Sequence, residues 1–530
     1  MKGCNVGCFW FQIKIQPCTI FWCHEPKPAV DYQLLFSHYT ATPAHARWSR
    51  QRQLHECLRS AIRAGTLGSG VRLPATRTLA QELGVSRNTV LYAYDQLATE
   101  GFVLPDRRGT VVAQAAALAA VPLAHTVAPL RVGLSKRALA VPTRDAPETP
   151  AAFAPGVPAL KGFPVTLWRR LLDRAWRGLS TAQLNYAEST GEPALREAIA
   201  SHLRVARGAL LDAGQVIITD GTQSSLDLCA RAFADAGDKV WIESPGYQGA
   251  LAAFQAAQLK PMGMVVDSEG IAPTAADWQR HPPKLIYVTP SHQYPTGSVL
   301  SLERRMALIA QARSAAALIV EDDYDSEFRH DGPPLSCMQG LAADAPVLYL
   351  GTFSKTMFPA LRIGFMVVPA ALVAPLSAML ARTHPRGRAA DQLALAEFMH
   401  IGQFSLHLRR MRRLYRQRRD ALVAALEQQL GDVADVYGGS AGMHLALRLR
   451  NPRADDAAIS RALQAQGIVA PALSAQAIGQ RVQPWRGFLL GYAQVPVEQM
   501  PGLVKQLATA VRREFREEAT GSREQTFTDS

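Results

Sequence analysis

From about residue 156 onward, short apolar runs alternate with segments long enough to be helices. The runs are 215–219, 239–243, 284–289, 316–321, 347–353 and 363–368. Such alternation predicts a mostly parallel sheet covered by helices on both faces. A final α+β piece follows at about 400–515, and 516–530 read as a polar tail. A hydrophobic content of 48% against 19% charged residues supports a buried core and argues against global disorder. At 530 residues, more than one domain is expected. No apolar run reaches the roughly 18 residues that a membrane helix needs. The expectation is a cytoplasmic protein without a membrane partner.

Residues 45–113 form a separate, arginine-rich zone. Leu54, Leu58 and Ile62 recur at helical spacing. Pro74 precedes a second helix over 76–83, and Gly84-Val85-Ser86 makes a tight turn. Gly84 is free to take positive φ, and Ser86 is suited to cap the next helix. That helix runs from about 87 to 100 with the stripe Val90, Tyr94 and Leu97, leaving Arg87, Asn88 and Thr89 at its exposed N-terminal end. This is helix–turn–helix geometry, in which the second helix reads bases from its N-terminal residues. Residues 102–104 and 110–112 read as a two-stranded wing. Within 41–112 stand ten Arg and five Asp or Glu, an excess that suits phosphate contact. The whole chain carries a net charge of +13, in keeping with a polyanionic partner.

Residues 114–155 are rich in Ala and Pro and read as a linker. Residues 1–44 read as a poorly ordered leader, or as a start codon assigned too early. Four of the seven cysteines crowd there, at Cys4, Cys8, Cys18 and Cys23. Their spacing is loose and no histidine pattern supports it, so no metal site is expected. The odd cysteine count argues against a disulfide framework.

The chemistry concentrates around Lys355. It stands in Gly351-Thr352-Phe353-Ser354-Lys355, after an apolar run and a small-residue turn. A lysine so placed can form a Schiff base with an aldehyde. Arg362, seven residues on, can clamp a phosphate together with Thr352 and Ser354. One aldehyde and one phosphate together describe pyridoxal 5'-phosphate, PLP. Asp322, in Glu321-Asp322-Asp323-Tyr324-Asp325, could hold a pyridine nitrogen protonated, and Tyr324 could donate to the ring's phenolic oxygen. Gly221-Thr222-Gln223, between a strand and a helix, would place backbone N–H groups on a phosphate. Tyr247 could stack on the ring. Pro290 to Gly297 makes a tight loop after a strand. A helix with seven arginines between 409 and 419 could bind DNA or could be a solvated or interdomain face.

The string LPATRTLAQELGVSRNTVLYAYDQLATEGFV resembles the GntR-type winged helix almost residue for residue. The resemblance implies that Arg77 and Arg87 contact DNA, with Thr89 nearby, and that Arg108 and Gly109 reach the minor groove from the wing. The order of motifs over about 155–513 resembles class I (fold type I) aminotransferases. That resemblance implies Lys355 as the Schiff-base lysine, Asp322 as the pyridine-nitrogen partner and Tyr324 at the ring oxygen. Arg362 and Thr352 would hold the phosphate, and Tyr247 would stack. Tyr186 matches a tyrosine that reaches the phosphate in the neighbouring subunit. Tyr294 stands where the family's asparagine meets the ring oxygen. Leu489 stands where aminotransferases carry the arginine for the substrate carboxylate, and Arg486 lies three residues earlier.

A GntR winged helix linked to such a domain resembles the MocR subfamily of bacterial regulators. The implied fold is α/β: an N-terminal winged helix–turn–helix, a linker, and an aminotransferase-like domain at 156–515 with a parallel-rich sheet and an α+β C-terminal subdomain. The implied partners are a double-stranded DNA operator, PLP or a small amine or amino-acid effector, and a second copy in a head-to-tail homodimer. The leading expectation is a regulator that senses PLP or a PLP–amine adduct and controls vitamin B6 or amino-acid metabolism. Two alternatives stay open: an active aminotransferase with an appended DNA-binding domain, and a DNA-binding dimer on a cofactor-free scaffold.

Overall fold

The computed structural model describes residues 30–114, 133–139, 151–185, 188–342, 344–384, 387–479 and 485–525, with the side chains of 516–525 left aside. The chain divides into two compact units, one up to Gly133 and one from Leu134.

The first unit holds α1 (Tyr32–Ala41), α2 (Arg50–Arg63), α3 (Thr76–Leu83), α4 (Arg87–Thr99), β1 (Val103–Asp106) and β2 (Gly109–Val112). The expected stripes, Leu54, Leu58 and Ile62 on α2 and Val90, Tyr94 and Leu97 on α4, are all buried in one core. Gly84 takes φ +62° between α3 and α4, in the left-handed region that costs glycine little. The Ser86 side chain accepts from the Thr89 N–H at 3.2 Å and caps α4. Tyr94 on α4 donates its hydroxyl to the Pro74 carbonyl at 2.8 Å, which ties α4 to the entry of α3. The wing is antiparallel, with Asp106 opposite Gly109 across the two-residue turn Arg107-Arg108.

One expectation is corrected here. Residues 1–44 were assigned to a leader, yet α1 lies within that stretch and buries Tyr32 and Phe36 in the winged-helix core. With only two buried positions, α1 shows too short a stripe to reveal a helical period. The four clustered cysteines lie outside the described residues. Cys57, Cys229 and Cys337 are free and buried.

In the second unit all six apolar runs are strands: β3 (Val216–Thr219), β4 (Lys239–Ser244), β7 (Leu285–Val288), β8 (Leu318–Asp323), β9 (Val347–Thr352) and β10 (Gly364–Val367). Two strands escaped the sequence reading, β5 (Lys260–Asp267) and β6 (Gly270–Ile271). The order is β3-β10-β9-β8-β7-β4-β5-β6. β5 lies near the sheet margin with exposed positions along it, and so lacks the continuous apolar character of the interior strands. β4, β5, β7, β8 and β9 pair in parallel, whereas β10 is antiparallel to both β3 and β9. β3 therefore runs with β9. The C-terminal ends of β3, β7, β8 and β9 share one edge, where open α/β sheets place their ligands.

The C-terminal part is a three-stranded antiparallel sheet, β11 (Ala434–Tyr437), β12 (His444–Leu449) and β13 (Gly487–Gly491). It packs with the helices Gln403–Leu430 and Met500–Gln525. The last helix continues to Gln525, into the stretch assigned to a polar tail. The linker assignment also shortens. Phe153 is fully buried, its carbonyl accepts from the Gly491 N–H at 2.8 Å, and Ala152 pairs with Ile468. Residues 151–155 are thus part of the second unit. Residues 115–132 and 140–150 of the expected linker lie outside the described residues. No helix among the described residues is long and apolar enough to cross a membrane.

Candidate functional site

The strand ends of the second unit enclose one cavity. Thr222, Gln223, Tyr247, Tyr294, Asp322, Tyr324, Thr352, Ser354, Lys355 and Arg362 all line it. Residues drawn from separate stretches of the sequence, about 140 positions apart at the extremes, thus meet at one place. Thr352 closes β9, and the following turn is held by the Ser354 N–H donating to Thr352 Oγ1 at 3.2 Å. Lys355 Nζ donates to the Gly156 carbonyl at 2.8 Å. Gly156 has φ +76°, a backbone conformation that favours glycine, and a Cβ there would crowd Lys355 Nζ at 2.6 Å.

Arg362 adopts the left-handed region, φ +50°, after the turn Pro359–Leu361. Its carbonyl and that of Leu361 accept from the guanidinium of Arg388. This holds the turn so that the Arg362 guanidinium lies about a methyl group away from Gly221, 3.6 Å from where a Cβ would sit. Gly221 caps the helix Thr222–Phe233. A guanidinium beside the free N–H groups of a helix N-terminus makes a strong anion cradle. Gln223 Nε2 is engaged with the Gly249 carbonyl at 2.9 Å.

At the other end stands Asp322, buried at the tip of β8. Tyr287 on β7 donates to its Oδ2 at 2.7 Å, while Oδ1 has no hydrogen-bond partner among the described residues. Burial pushes the Asp322 carboxyl up to about 7, against the pull of the Tyr287 hydrogen bond and of Lys355. The sign of the consequence follows. A raised carboxyl pKa means that the folded chain holds a proton the unfolded chain has lost, so stability falls as pH rises from about 4 to 7. Asp322→Asn should therefore stabilise the cofactor-free protein at pH 8 by a few kcal/mol, on the order of 3, and hardly at all at pH 4.5. Thermal melts at the two pH values check this, and an equal shift at both would refute it.

Several cavity residues carried no expectation. Tyr287 lies inside an apolar strand, with nothing around it in sequence to mark a site residue. Asp325 lies 3.1 Å from His292 Nδ1, and Tyr324 donates its hydroxyl to the His292 carbonyl at 3.1 Å. Burial opposes a charge on His292, but Asp325 outweighs it and raises the histidine's pKa. His444, first residue of β12, also lines the cavity. A histidine opening an apolar strand after Gly438-Gly439-Ser440-Ala441-Gly442 was the available signal. The ligand atoms of His292, Asp325 and His444 lie within 4.8 Å of one another, a spacing that a metal ion could also bridge.

Other expectations resolve as follows. Leu489 is fully buried against Ala446, with Tyr294 and Trp485 packed on the same cluster. Arg486 pairs with buried Asp456 at 3.3 Å. Tyr186 lies outside the described residues. On the first unit, Arg77, Arg87, Asn88, Arg108 and Gly109 are exposed. Thr89 is not: it is buried, with its hydroxyl 2.9 Å from Ser86 Oγ, so it serves the helix cap and not an open surface. In the arginine-rich helix, Arg412, Arg416 and Arg418 donate to the carbonyls of Glu327, His330 and Ala493, and Arg419 pairs with Asp331 at 2.7 Å. Those four tie the helix to its own unit.

Comparisons with known proteins agree with this division. The model for aminotransferase class I and II matches residues 158–488, and that for bacterial regulatory proteins of the gntR family matches 50–112. Fold and site together define a winged-helix DNA-binding protein that carries an aminotransferase-type unit. A probable rhizopine catabolism regulatory protein, MocR, of Rhizobium meliloti is 40% identical over 464 residues, 87% of this chain and 93% of that protein. The pyridoxine biosynthesis transcriptional regulator PdxR of Corynebacterium glutamicum is 34% identical over 77% of this chain and 85% of that protein. Among solved structures, a kynurenine aminotransferase from Pyrococcus horikoshii, in complex with PMP, superposes with a TM-score of 0.65 at 26% identity, over 72% of this chain and 97% of that one. The chain belongs to the GntR-type transcriptional regulators of the MocR subfamily.

Proposed function

We propose that the second unit binds PLP, and that PLP, alone or with a captured amine, sets DNA binding by the first. The observation that carries this reading is Asp322 Oδ1, a buried carboxylate oxygen without a partner in the cavity of Lys355. A protonated pyridine nitrogen would satisfy it. The cradle of Gly221, Thr222, Gln223, Thr352, Ser354 and Arg362 suits a phosphate. When bound, PLP supplies an aldehyde open to amines and a ring that withdraws electrons.

The chain's own residues would then divide the work. Lys355 Nζ, held at the Gly156 carbonyl, would take the aldehyde end. Asp322, braced by Tyr287, would keep the ring nitrogen protonated. Tyr247 would stack on the ring, and Tyr324 and Tyr294 would face its oxygen. Tyr186 from a second copy in a head-to-tail homodimer would reach the phosphate. Leu489, in place of a carboxylate-binding arginine, favours sensing over amino-acid turnover. PdxR's own description concerns pyridoxine biosynthesis, which supports control of vitamin B6 or amino-acid metabolism here.

Arg77, Arg87, Asn88, Arg108 and Gly109 would meet the operator, one winged helix per half-site. A ligand shifts DNA affinity only through unequal binding to two states. The test is anisotropy of a fluorescent DNA fragment from upstream of the protein's own gene, with and without PLP and amines. Unchanged affinity under all conditions would sink the sensing reading. In the same assay Arg87→Ala should cost about 1–3 kcal/mol, roughly 5- to 150-fold. An affinity equal to the parent's would remove Arg87 from the contacts.

A further inference from the structure

The cavity is polar at both ends and differs in kind along the wall between them. Among its described lining residues the only cations are Lys355 and Arg362. Arg362 stands in the anion cradle beside Gly221, and Lys355 at the Gly156 carbonyl. The remaining wall runs through Tyr294, Met443 and His444. Behind Tyr294 lie Leu489 and Trp485, both apolar, and the nearby Arg486 is taken up by Asp456. A carboxylate brought to this wall would lose water and face the lining carboxylate of Asp325, whose partner His292 is already engaged, a cost of several kcal/mol.

In that wall His444 stands beside Asp325, a lining carboxylate paired with His292 at 3.1 Å. His444 is 2% exposed, and its Nε2 has no hydrogen-bond partner among the described residues. Its ring sits 4.9 Å from that of His292, 5.5 Å from Tyr294 and 6.3 Å from Tyr324. Burial first, and then the neighbouring His292, push its pKa well below the ordinary value, outweighing the pull of the Pro295 carbonyl. The ring is therefore neutral, with one donor and one acceptor nitrogen. A buried nitrogen left unpaired is costly, and a ligand that pairs with it recovers that cost.

We infer that the effector is an amine without a carboxylate, carrying a hydroxyl or another neutral hydrogen-bonding group that His444 recognises. This rests on the PLP-sensing reading and narrows it to a chemical class. His444 is the specificity-determining residue, and Leu489 supplies the apolar backing that disfavours amino acids.

The test uses full-length protein loaded with PLP and two matched pairs of ligands: ethanolamine against glycine, and 3-amino-1-propanol against β-alanine. Each is titrated while the visible spectrum and the affinity for the DNA fragment are recorded. The amino alcohols should act at concentrations at least about tenfold lower than their amino-acid partners, tenfold being the worth of roughly one buried hydrogen bond alone. His444→Phe should weaken each amino alcohol about tenfold and leave its amino-acid partner within about twofold, whereas His444→Gln, which keeps a donor and an acceptor, should retain the parent's response. Amino acids acting as well as the alcohols in the parent protein would overturn the inference, with no variant needed. An amino alcohol that acts as well on His444→Phe as on the parent would overturn the role of His444. If PLP gives no visible band that depends on Lys355, the underlying reading fails and this one with it. A normal band without any preference defeats this inference alone.

Discussion

If the second unit holds PLP as proposed, Lys355→Ala is expected to erase the protein-bound visible absorption band that added PLP gives with the parent protein. Lys355 would be the residue that holds the aldehyde end, and no other described side chain of the cavity is an amine. The phosphate cradle does not involve Lys355, so weak retention of PLP by Gly221, Thr222 and Arg362 should persist. It would be visible as co-elution on a desalting column. Basal DNA affinity without PLP should stay within about twofold, as for changes at distant, independent sites. The winged helix has its own core, from Leu54 and Val90 to Tyr32 and Phe36, which gives that expectation its basis. Any response of DNA binding to PLP or amines should disappear. A response that survives would place the sensing outside this cavity. Loss of basal DNA binding with the fold intact would show that the two units do not work as separate modules.

Arg207→Ala is expected to destabilise the second unit by about 3–5 kcal/mol, the usual cost of stranding buried charges. Arg207 is 3% exposed. Its Nε donates to Asp323 Oδ2 at 3.0 Å, and its Nη2 lies 3.2 Å from Glu327 Oε1. Tyr349 also donates to Asp323, and His202 and Arg412 lie against Glu327. Burial alone would raise the Glu327 carboxyl, but Arg207, then His202 and Arg412, bring it down to about 2. A depressed carboxyl contributes stability above its unfolded pKa and loses it as pH falls, so the deficit of the variant should be full at pH 7 and shrink below about pH 4. Urea titration at several pH values measures it. A neutral-pH loss below about 1 kcal/mol would mean that the network holds nothing together. Asp323 sits between Asp322 and Tyr324, so the variant should also bind PLP more weakly. Arg207→Lys should recover only part of the loss, since an ammonium cannot span both carboxylates as a planar guanidinium does.

Much of this protein was legible before its coordinates. The helix–turn–helix stripes, the six strands of the apolar runs and the motif order around Lys355 depend on local chemistry: period, turn residues and the spacing of charged groups. What escaped was whatever lacked such a period. Helix α1 buries two residues, and β5 is partly exposed along its length, so neither stands out from its surroundings. Thr89 illustrates the limit in the other direction. Its position at the start of α4 read as exposed, but its hydroxyl turns to Ser86 to complete the cap.

The arginine-rich helix shows the same division. Seven arginines in eleven residues left two readings open, and only the packing of Gln403–Leu430 on the segment 327–331 and on Ala493 decided that four of them bind carbonyls and a carboxylate of their own unit. By itself, then, the sequence determined the two kinds of unit, their order, and the residue types needed for DNA phosphates and for an aldehyde with a phosphate, because period and turn chemistry act over a few neighbouring residues. The tertiary structure alone decided which distant residues share the cavity. Tyr287 braces Asp322, Gly156 seats Lys355, Arg388 holds the turn of Arg362, and His444 faces the same space from another sheet. These pairings join residues from about 25 to 200 positions apart, and only the register of the sheet, the helix that starts at Ala389 and the crossing of the 151–156 segment bring them within hydrogen-bond reach.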